Sequence, residues 1–301
     1  MIQFNSKKIL IPVDFSDTSL LAITHGAFTA QLTKGDVYLL HVINSYYVAQ
    51  NLFLPTVDIL NTSEVENKAT EKLGKLAADI AKQYGVKVDC IVKTGSPSSE
   101  IVDVAEEIGA SMVVMGTHGY SPIEELLIGS VAMKVLTKSS CPTIVMSKEA
   151  NHKGYNKIVM PIDTSAHTRQ KVNYTLQMAK KFSASVHAVA LLGKDEESEK
   201  AAMELILHQI QKLAEETGTI FHSDLLSNVR NRAEATVDYA NKLSADLIVI
   251  MTDQDAEVSG IFLGPYAQQV IHKSSMPVVA IKPVDFSSGS DGSILGGTSG
   301  L

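Results

Sequence analysis

An internal duplication is the feature that most constrains how this chain can fold. Residues of the first copy recur 149 positions later in the early part of the second copy and 135 positions later in its last part, so the second copy lacks 14 residues. In the second copy, the matching residues at the first offset are Lys157, Ile158, Pro161, Asp163, Ser165, Ala179 and Val186. Those that recur at the second offset are Val237, Asp238, Ala240, Ala245, Val249, Gly264, Ala267, Val270, Lys273, Ser274, Ser275 and Pro277. A chain of 301 residues built on one repeated pattern is expected to form two similar domains.

Short apolar runs alternate with helical spacing throughout the first copy. Apolar side chains return every three or four positions at residues 16–32, 64–84, 98–107 and 130–138, which predicts helices there. Strands are predicted at residues 9–13, 37–42, 86–92, 112–115 and 143–146. This alternation is typical of an α/β fold with two tandem, doubly wound (Rossmann-like) domains, each a mainly parallel five-stranded sheet flanked by helices. In such sheets, ligands bind at the carboxyl ends of the strands.

The repeat also sets the expected domain limits. We expect one domain at residues 1–148 and a second at residues 155–284, and the polar stretch from Lys148 to Tyr155 is the junction between them. The Ser- and Gly-rich residues 285–301 lie outside the repeat and are expected to be a disordered tail. The residues present only in the first copy fall within 45–64, where either a lid over a ligand or a plain surface loop is expected.

Composition excludes several classes of protein. A net charge of −7 argues against a nucleic-acid-binding surface, which needs a basic stripe. No targeting segment is recognisable, and no apolar run approaches the roughly 18 residues of a membrane-spanning helix. Cys90 and Cys141 lie in or beside apolar runs and are expected to be buried thiols of a cytoplasmic protein. The histidines lack the spacing of metal ligands, so no metal site is predicted.

A glycine-rich loop lies between the fourth strand and fourth helix of the first copy. Gly116 and Gly119 follow the strand, and Gly129 with Ser130 opens the helix, in the pattern Gly-x2-Gly-x9-Gly-Ser. Glycine allows sharp turns and lets a ligand approach the main chain. The first N–H groups of a helix have no partner within it and carry partial positive charge, so a phosphate suits both features. The Walker and dinucleotide glycine patterns are absent.

This pattern resembles the nucleotide-binding signature of the universal stress protein family. The flanking segments agree: Val-Met-Gly-Thr-His-Gly before the loop, Leu-Ile-Gly-Ser-Val-Ala after it, and Cys-Pro at the last strand. Because the repeat covers nearly the whole chain, the resemblance implies a tandem protein with two domains of this family. It also implies a role in the stress response and an adenine nucleotide as ligand, whether ATP, ADP or AMP, with Mg²⁺ as a candidate companion ion.

The resemblance assigns roles to single residues of the first copy. Asp14, at the end of the first strand, is expected to bond the nucleoside, and the backbone of Val42 to meet the adenine edge. The residues expected to contact the nucleotide are Pro12, Asp14, Val42, Gly116, Thr117, His118, Gly119, Tyr120, Gly129, Ser130 and Val131. Structural roles are the alternatives: a turn or helix cap for Asp14, core packing for Val42, and a surface position for Tyr120.

The second copy departs from the signature. At the corresponding positions it has Met251, Gln254, Gly264 and Pro265. The Met and Gln side chains enter space that phosphates need, and Pro265 lacks an N–H donor. Asp253 and Asp255 add negative charge, which repels an anion. We therefore expect one nucleotide per chain, bound in the first domain.

Three functions are considered from the sequence. The first is a nucleotide-binding regulatory protein without catalytic residues. The second is an ATPase, which would be slow. After Gly119 the family often has Arg or Lys, whereas this chain has Tyr120-Ser121-Pro122 and thus no cation there to stabilise the γ-phosphate. By charge alone, Arg230 and Arg232 are candidates to reach in from the second domain. The third is a nucleotide-independent structural or partner-binding protein, which the intact glycine signature disfavours.

The last strands of the two copies are expected to bring the domains together. Residues 143–146 and 278–281 are apolar runs predicted at sheet edges, and exposed apolar edges invite pairing. We expect an intramolecular pseudo-dimer through these strands. Family members with one domain usually dimerise in this way, so the resemblance implies the same contact, with a homodimer of the whole chain as a further alternative.

Overall fold

A computed structural model of the chain describes Phe4 and residues 7–44, 62–119, 128–150, 154–165, 167–252 and 263–283. Residues 45–61, where most of the expected insertion falls, lie outside the described residues, as do Tyr120 and the expected tail. No helix in the described part of the chain combines the length and the apolar character that crossing a bilayer requires.

The first half alternates strands and helices as the sequence predicts. Its elements are β1 (Lys8–Pro12), α1 (Asp17–Thr33), β2 (Asp36–Asn44), α2 (Thr62–Tyr84), β3 (Val88–Gly95), α3 (Pro97–Glu107), β4 (Met112–Gly116), α4 (Ser130–Lys138) and β5 (Thr143–Met146). Helix α1 begins where the Ser16 side chain accepts a hydrogen bond from the Ser19 N–H, which satisfies one donor of the helix start. Strand β3 starts later than predicted and continues to Gly95, because its backbone pairs with β2 as far as Asn44.

The second half repeats this order. Its elements are β6 (Lys157–Ile162), α5 (Thr168–Phe182), β7 (Ser185–Leu191), a short 3-10 helix (Glu197–Glu199), α6 (Lys200–Thr217), β8 (Ile220–Leu226), α7 (Arg232–Leu243), β9 (Leu247–Met251), α8 (Pro265–Lys273) and β10 (Val278–Ile281). The connection from β7 to α6 is shorter than that from β2 to α2. Part of the difference in length between the two copies falls at this connection, and α6, with 18 residues, is also shorter than α2, with 23.

The strands of the described residues form one sheet in the order β3-β2-β1-β4-β5-β10-β9-β6-β7-β8. Neighbouring strands are parallel within each half, and β5 and β10 pair antiparallel with Ile144 opposite Val279. The fold is therefore α/β and mostly parallel, in two repeated halves, as the sequence predicts. The last strands, predicted at sheet edges, lie at the centre of one continuous sheet.

Helices cover both faces of this sheet. Helices α1, α2, α5 and α6 pack on one face, and α3, α4, α7 and α8 pack on the other, each over a buried apolar layer. Side chains of a strand point alternately to the two faces. In β1, for example, Ile9 and Ile11 join the first layer and Leu10 joins the second.

Two expectations about burial are wrong. The junction, predicted to be polar, includes Tyr155, whose side chain is 3% exposed. The Tyr155 hydroxyl lies 2.5 Å from the Thr29 hydroxyl and 2.8 Å from Nε2 of His25, and its ring stacks on Phe182. Cys90 is exposed, because it lies on β3, an edge strand of the sheet, although both cysteines are free thiols as expected.

Candidate functional site

The first-half site lies where the strand order of the sheet changes direction. From β1 the chain proceeds outwards through β2 to β3, and it then places β4 and β5 on the other side of β1. Helices α1 and α4, which follow β1 and β4, pack on opposite faces of the sheet. A crevice therefore opens between the two loops at the carboxyl ends of β1 and β4, where most of the predicted residues lie.

Close packing at the end of β4 accounts for two of the signature glycines. A Cβ atom on Gly116 would lie 2.8 Å from the Thr18 side chain. One on Gly129 would lie 3.0 Å from the Thr117 carbonyl oxygen, which accepts a hydrogen bond from the Gly129 N–H at 2.9 Å. The loop thus returns to the end of β4 before α4 begins, and neither position has room for a larger residue.

The Asp14 carboxylate faces Gly119 across the crevice. Oδ1 of Asp14 accepts hydrogen bonds from the Ser16 N–H at 3.0 Å and from the Ser16 hydroxyl at 2.6 Å, which orient the carboxylate. A Cβ atom on Gly119 would lie 2.3 Å from Oδ2 of Asp14. Asp14 therefore stabilises a turn, which is the structural role considered as its alternative. Its second carboxylate oxygen, Oδ2, lies beside the backbone of Gly119.

Thr18 joins the two loops of the crevice. Its buried hydroxyl donates a hydrogen bond to the carbonyl oxygen of His118. The Nδ1 atom of His118 lies 3.0 Å from the Thr117 hydroxyl. The backbone of the loop after β4 is therefore held against the start of α1.

The start of α4 is open to an anion. Gly129 is the N-cap residue of this helix, and no side chain from the described part of the chain caps the first turn. Ser130 is exposed and Val131 is half-buried. Because the first N–H groups of a helix carry partial positive charge, they are available here to bind a phosphate.

Pro12 and Val42 lie on neighbouring strands of the same sheet edge. Pro12 is the last residue of β1 and pairs with Leu40, and Val42 follows Leu40 on β2 as a half-buried residue. Their position fits the predicted backbone contacts with a nucleoside. The predicted contact through Tyr120 falls outside the described residues.

A cavity of about 530 Å³ adjoins the crevice, and we term it the shared cavity. Of the predicted residues, Thr117, His118 and Gly119 line it. Its other lining residues are Ser16, Asp17, Thr18, Ile128, Ser147, Lys148, Glu149, Ile271 and His272. His272 belongs to α8, so both halves of the chain bound this cavity.

The second half keeps the backbone pattern of the site but has larger residues at two of the signature positions. The Gly264 N–H donates to the Thr252 carbonyl oxygen at 3.0 Å, as the corresponding glycine does in the first half. The buried Met251 ends β9 in place of a glycine, and Pro265 begins α8. Gln254 lies outside the described residues.

A buried lysine is a further difference between the two halves. Lys171 stands at the position of Ala22 in the repeat and has no exposed surface. Its Nζ lies 3.9 Å from Oδ2 of Asp163, the counterpart of Asp14, and neither atom has a hydrogen-bond partner. Burial lowers the pKa of the Lys171 ammonium, and the Asp163 carboxylate opposes this shift. One oxygen of the carboxylate therefore faces an internal cation.

Comparison with known proteins decides the family. The model of the universal stress protein family matches residues 5–147 and again residues 154–282. The chain belongs to the universal stress protein family. The two matches correspond to the two copies of the repeat, so this is a tandem universal stress protein.

Relatives of this universal stress protein match about half of it. Universal stress protein MJ0577 of Methanocaldococcus jannaschii is 36% identical over 155 residues, which are 48% of this chain and 96% of that protein. Universal stress protein YxiE of Bacillus subtilis is 29% identical over 144 residues, 46% of this chain and 97% of its own. A solved universal stress protein from Archaeoglobus fulgidus is similar in fold over 93% of this chain and 99% of its own, with a TM-score of 0.73 and 23% identity.

Several residues in and around the cavities of this universal stress protein could not be predicted from local patterns in its sequence. Ile271 and His272 of the shared cavity come from the second half, and no local spacing connects them with the glycine loop. Lys171 did have a signal, because the repeat places a lysine at a buried helix position. Arg230 and Arg232, considered as groups that reach into the first-half site, line another cavity in the second half. Within the described ranges, His, Cys, Asp and Glu side chains form no group of three that could hold a metal ion.

Proposed function

We propose that this universal stress protein binds one adenine nucleotide in its first half and acts as a stress-response regulatory protein. One observation carries the proposal: the oriented Asp14 carboxylate lies beside the bare backbone of Gly119, in a crevice that also contains the start of α4, which no described side chain caps. A ribose and a phosphate need this combination of acceptor and donors.

The residues of the crevice fit the parts of an adenine nucleotide. The N–H groups at the start of α4 suit the phosphates, and Oδ2 of Asp14 is an acceptor for a ribose hydroxyl. The family resemblance adds the adenine contact through the backbone of Val42. AMP, ADP and ATP share all three contacts, and Mg²⁺ would accompany the longer phosphate chains.

Hydrolysis by this site is proposed to be slow. Residues 116–129 include no Lys or Arg to stabilise charge on a γ-phosphate. In the shared cavity, Lys148 is accompanied by the carboxylates of Asp17 and Glu149, which offset its charge. We expect turnover below about one event per minute, against roughly 1–10³ s⁻¹ for ordinary enzymes. The output of binding would then be a change of conformation or of partner.

The antiparallel pair of β5 and β10 supports an intramolecular pseudo-dimer. In this arrangement the second half takes the place of a second protomer and closes the shared cavity through α8. Binding of a nucleotide in the first half would therefore act directly on residues of the second half. A homodimer of the whole chain would need a further surface, since β5 and β10 are already paired.

The test is to identify and count the nucleotide. Mass spectrometry of small molecules released on denaturing the purified protein should find an adenine nucleotide, and calorimetry with AMP, ADP and ATP should give one adenine-specific site per chain. Two equivalent sites, or none, would contradict the proposal. Steady-state phosphate release checks the alternative, because rapid release that disappears in Gly119→Asp would identify an ATPase.

A further inference from the structure

A second cavity, of about 380 Å³, opens in the second half between the starts of α7 and α8. We term it the arginine cavity. Its polar and charged lining residues are Arg230, Asn231, Arg232, Thr252, Tyr266 and Gln269. None of its described lining residues belongs to the shared cavity, so the two cavities are separate.

Positive charge is concentrated in the arginine cavity. The chain has three arginines, and two of them, Arg230 and Arg232, line this one cavity. None of the described residues that line it is acidic. Arg232 is ion-paired with Glu196 beside the cavity, whereas Arg230 makes no ion pair or hydrogen bond with the rest of the described chain. The guanidinium group of Arg230 is therefore available to a ligand.

The start of α8 adds hydrogen-bond donors on the other side. Among the described residues no side chain caps this helix, whose N-cap residue is Gly264. Pro265 has no N–H, but the N–H groups that follow it still lack partners within the helix. The start of α7 differs, because the Asn231 side chain accepts hydrogen bonds from its first N–H groups. The free donors of the cavity are thus those of α8, opposite Arg230.

The first half offers an internal comparison. The repeat places Arg230 and Arg232 at the positions of Gly95 and Pro97, so the first half has no cation there. The second half has lost most of the glycine signature and has gained two guanidinium groups near the start of the equivalent helix. Guanidinium groups bind phosphate oxygens through paired, charge-assisted hydrogen bonds.

We propose that the arginine cavity binds a phosphate group, as inorganic phosphate or within a phosphomonoester, without recognising an adenine base. Arg230 and the first N–H groups of α8 bind the phosphate oxygens, and Arg232 is shared between Glu196 and the ligand. The proposal does not depend on nucleotide binding in the first half, because the two cavities have no lining residue in common.

The test measures binding to the full-length Gly119→Asp variant, in which the first-half site is disabled. Calorimetric titrations with inorganic phosphate, glycerol 3-phosphate and AMP should each give one site of similar affinity. Adding Arg230→Ala should weaken all three about tenfold or more, as expected for the loss of a charge-assisted contact. Arg169→Ala, which removes an exposed arginine on α5 outside the cavity, is the matched control and should change nothing.

Several results would overturn the proposal. Unchanged phosphate binding in Arg230→Ala would place the anion elsewhere, and AMP binding far tighter than glycerol 3-phosphate would identify a nucleotide site. Absence of binding would show that Asp253 and Asp255, which lie outside the described residues, outweigh the arginines. Should Gly119→Asp not fold, wild type and Arg230→Ala are compared, and the variant is expected to lose one of two phosphate sites.

Discussion

At the scale of single residues, the signature glycines provide space more than unusual backbone angles. Gly116, Gly119 and Gly129 are not among the glycines with positive φ, although each has a neighbouring atom within 3.0 Å of an added Cβ atom. Any side chain at these positions must displace a neighbour. The residue type is therefore required by close packing.

Replacing Gly119 should abolish nucleotide binding in the first half. Gly119→Asp places a carboxylate beside Asp14 and the expected phosphates, and two like charges about 4 Å apart near a protein surface repel by about 4 kcal/mol. We expect the affinity of the first-half site for AMP to fall at least about a hundredfold in calorimetry. Gly74→Asp is the matched control, because an added Cβ atom on Gly74 meets nothing within 4 Å, and Gly264→Asp in the second half should leave AMP binding in the first half unchanged. Normal binding by Gly119→Asp would show that the phosphate loop is misassigned.

Lys171 is a second residue whose burial has a measurable consequence. Its ammonium has no hydrogen-bond partner, whereas Asp163 retains hydrogen bonds from Ser165 and Thr168 and is partly exposed. The pKa of Lys171 is lowered even beside Asp163, so the charged ammonium is less favourable in the folded chain than in water. We therefore expect Lys171→Met, which removes this charge, to raise the free energy of unfolding in urea denaturation at neutral pH.

The pH dependence of this effect follows from the direction of the pKa shift. Burial lowers the pKa of Lys171 in the folded state below its ordinary value of 10.5. Between these two values the unfolded chain holds more protons, so the stability of the wild type rises with pH. The advantage of Lys171→Met should therefore shrink as the pH approaches 10.5. A constant difference across that range, or the same effect in the exposed control Lys212→Met, would contradict this account.

At the scale of elements, the junction between the halves acts as part of the core. Tyr155 contacts α1 through His25 and Thr29 and stacks on Phe182 at the end of α5, with ring centroids 4.2 Å apart. It thus links one helix of each half on the same face of the sheet. The groups that contact its hydroxyl are buried, so water has little access to replace the hydroxyl as their partner.

Removing that hydroxyl should destabilise the protein. Tyr155→Phe leaves buried polar groups of His25 and Thr29 without this partner, which costs about 1–3 kcal/mol. Thermal or urea unfolding measures the change. Tyr239→Phe is the control, because the Tyr239 hydroxyl donates to Asp224 at the surface and its loss should cost less. Equal effects of the two substitutions would show that the buried contacts of Tyr155 contribute nothing.

At the scale of the whole molecule, the two halves depend on each other for a covered sheet edge. Strands β5 and β10 are buried along their whole length. On the side that faces the other half, each of them pairs with the other. An unpaired apolar edge strand is prone to association. Residues 1–148 and 155–284, expressed separately, should therefore aggregate or self-associate in light scattering, whereas the full chain should not. Monomeric, stable halves would show that the β5–β10 pair is dispensable.

Much of this organisation is present in the sequence because it depends on neighbours along the chain. Strand and helix spacing repeats within each element, so the α/β fold and its duplication are visible without a structure. The glycine signature is likewise local, since Gly116, Gly119 and Gly129 belong to one loop. The loss of this signature in the second copy follows from the repeat alone.

Tertiary structure decides which distant residues meet, because such contacts depend on how elements pack and not on spacing within them. Thr18 holds the carbonyl of His118, 100 positions away, and His272 closes the shared cavity from the other half. The junction reads as polar, yet Tyr155 is buried because helices from both halves converge on it. Local pattern thus determined the fold and the glycine-rich loop, while packing across the sheet determined what surrounds them.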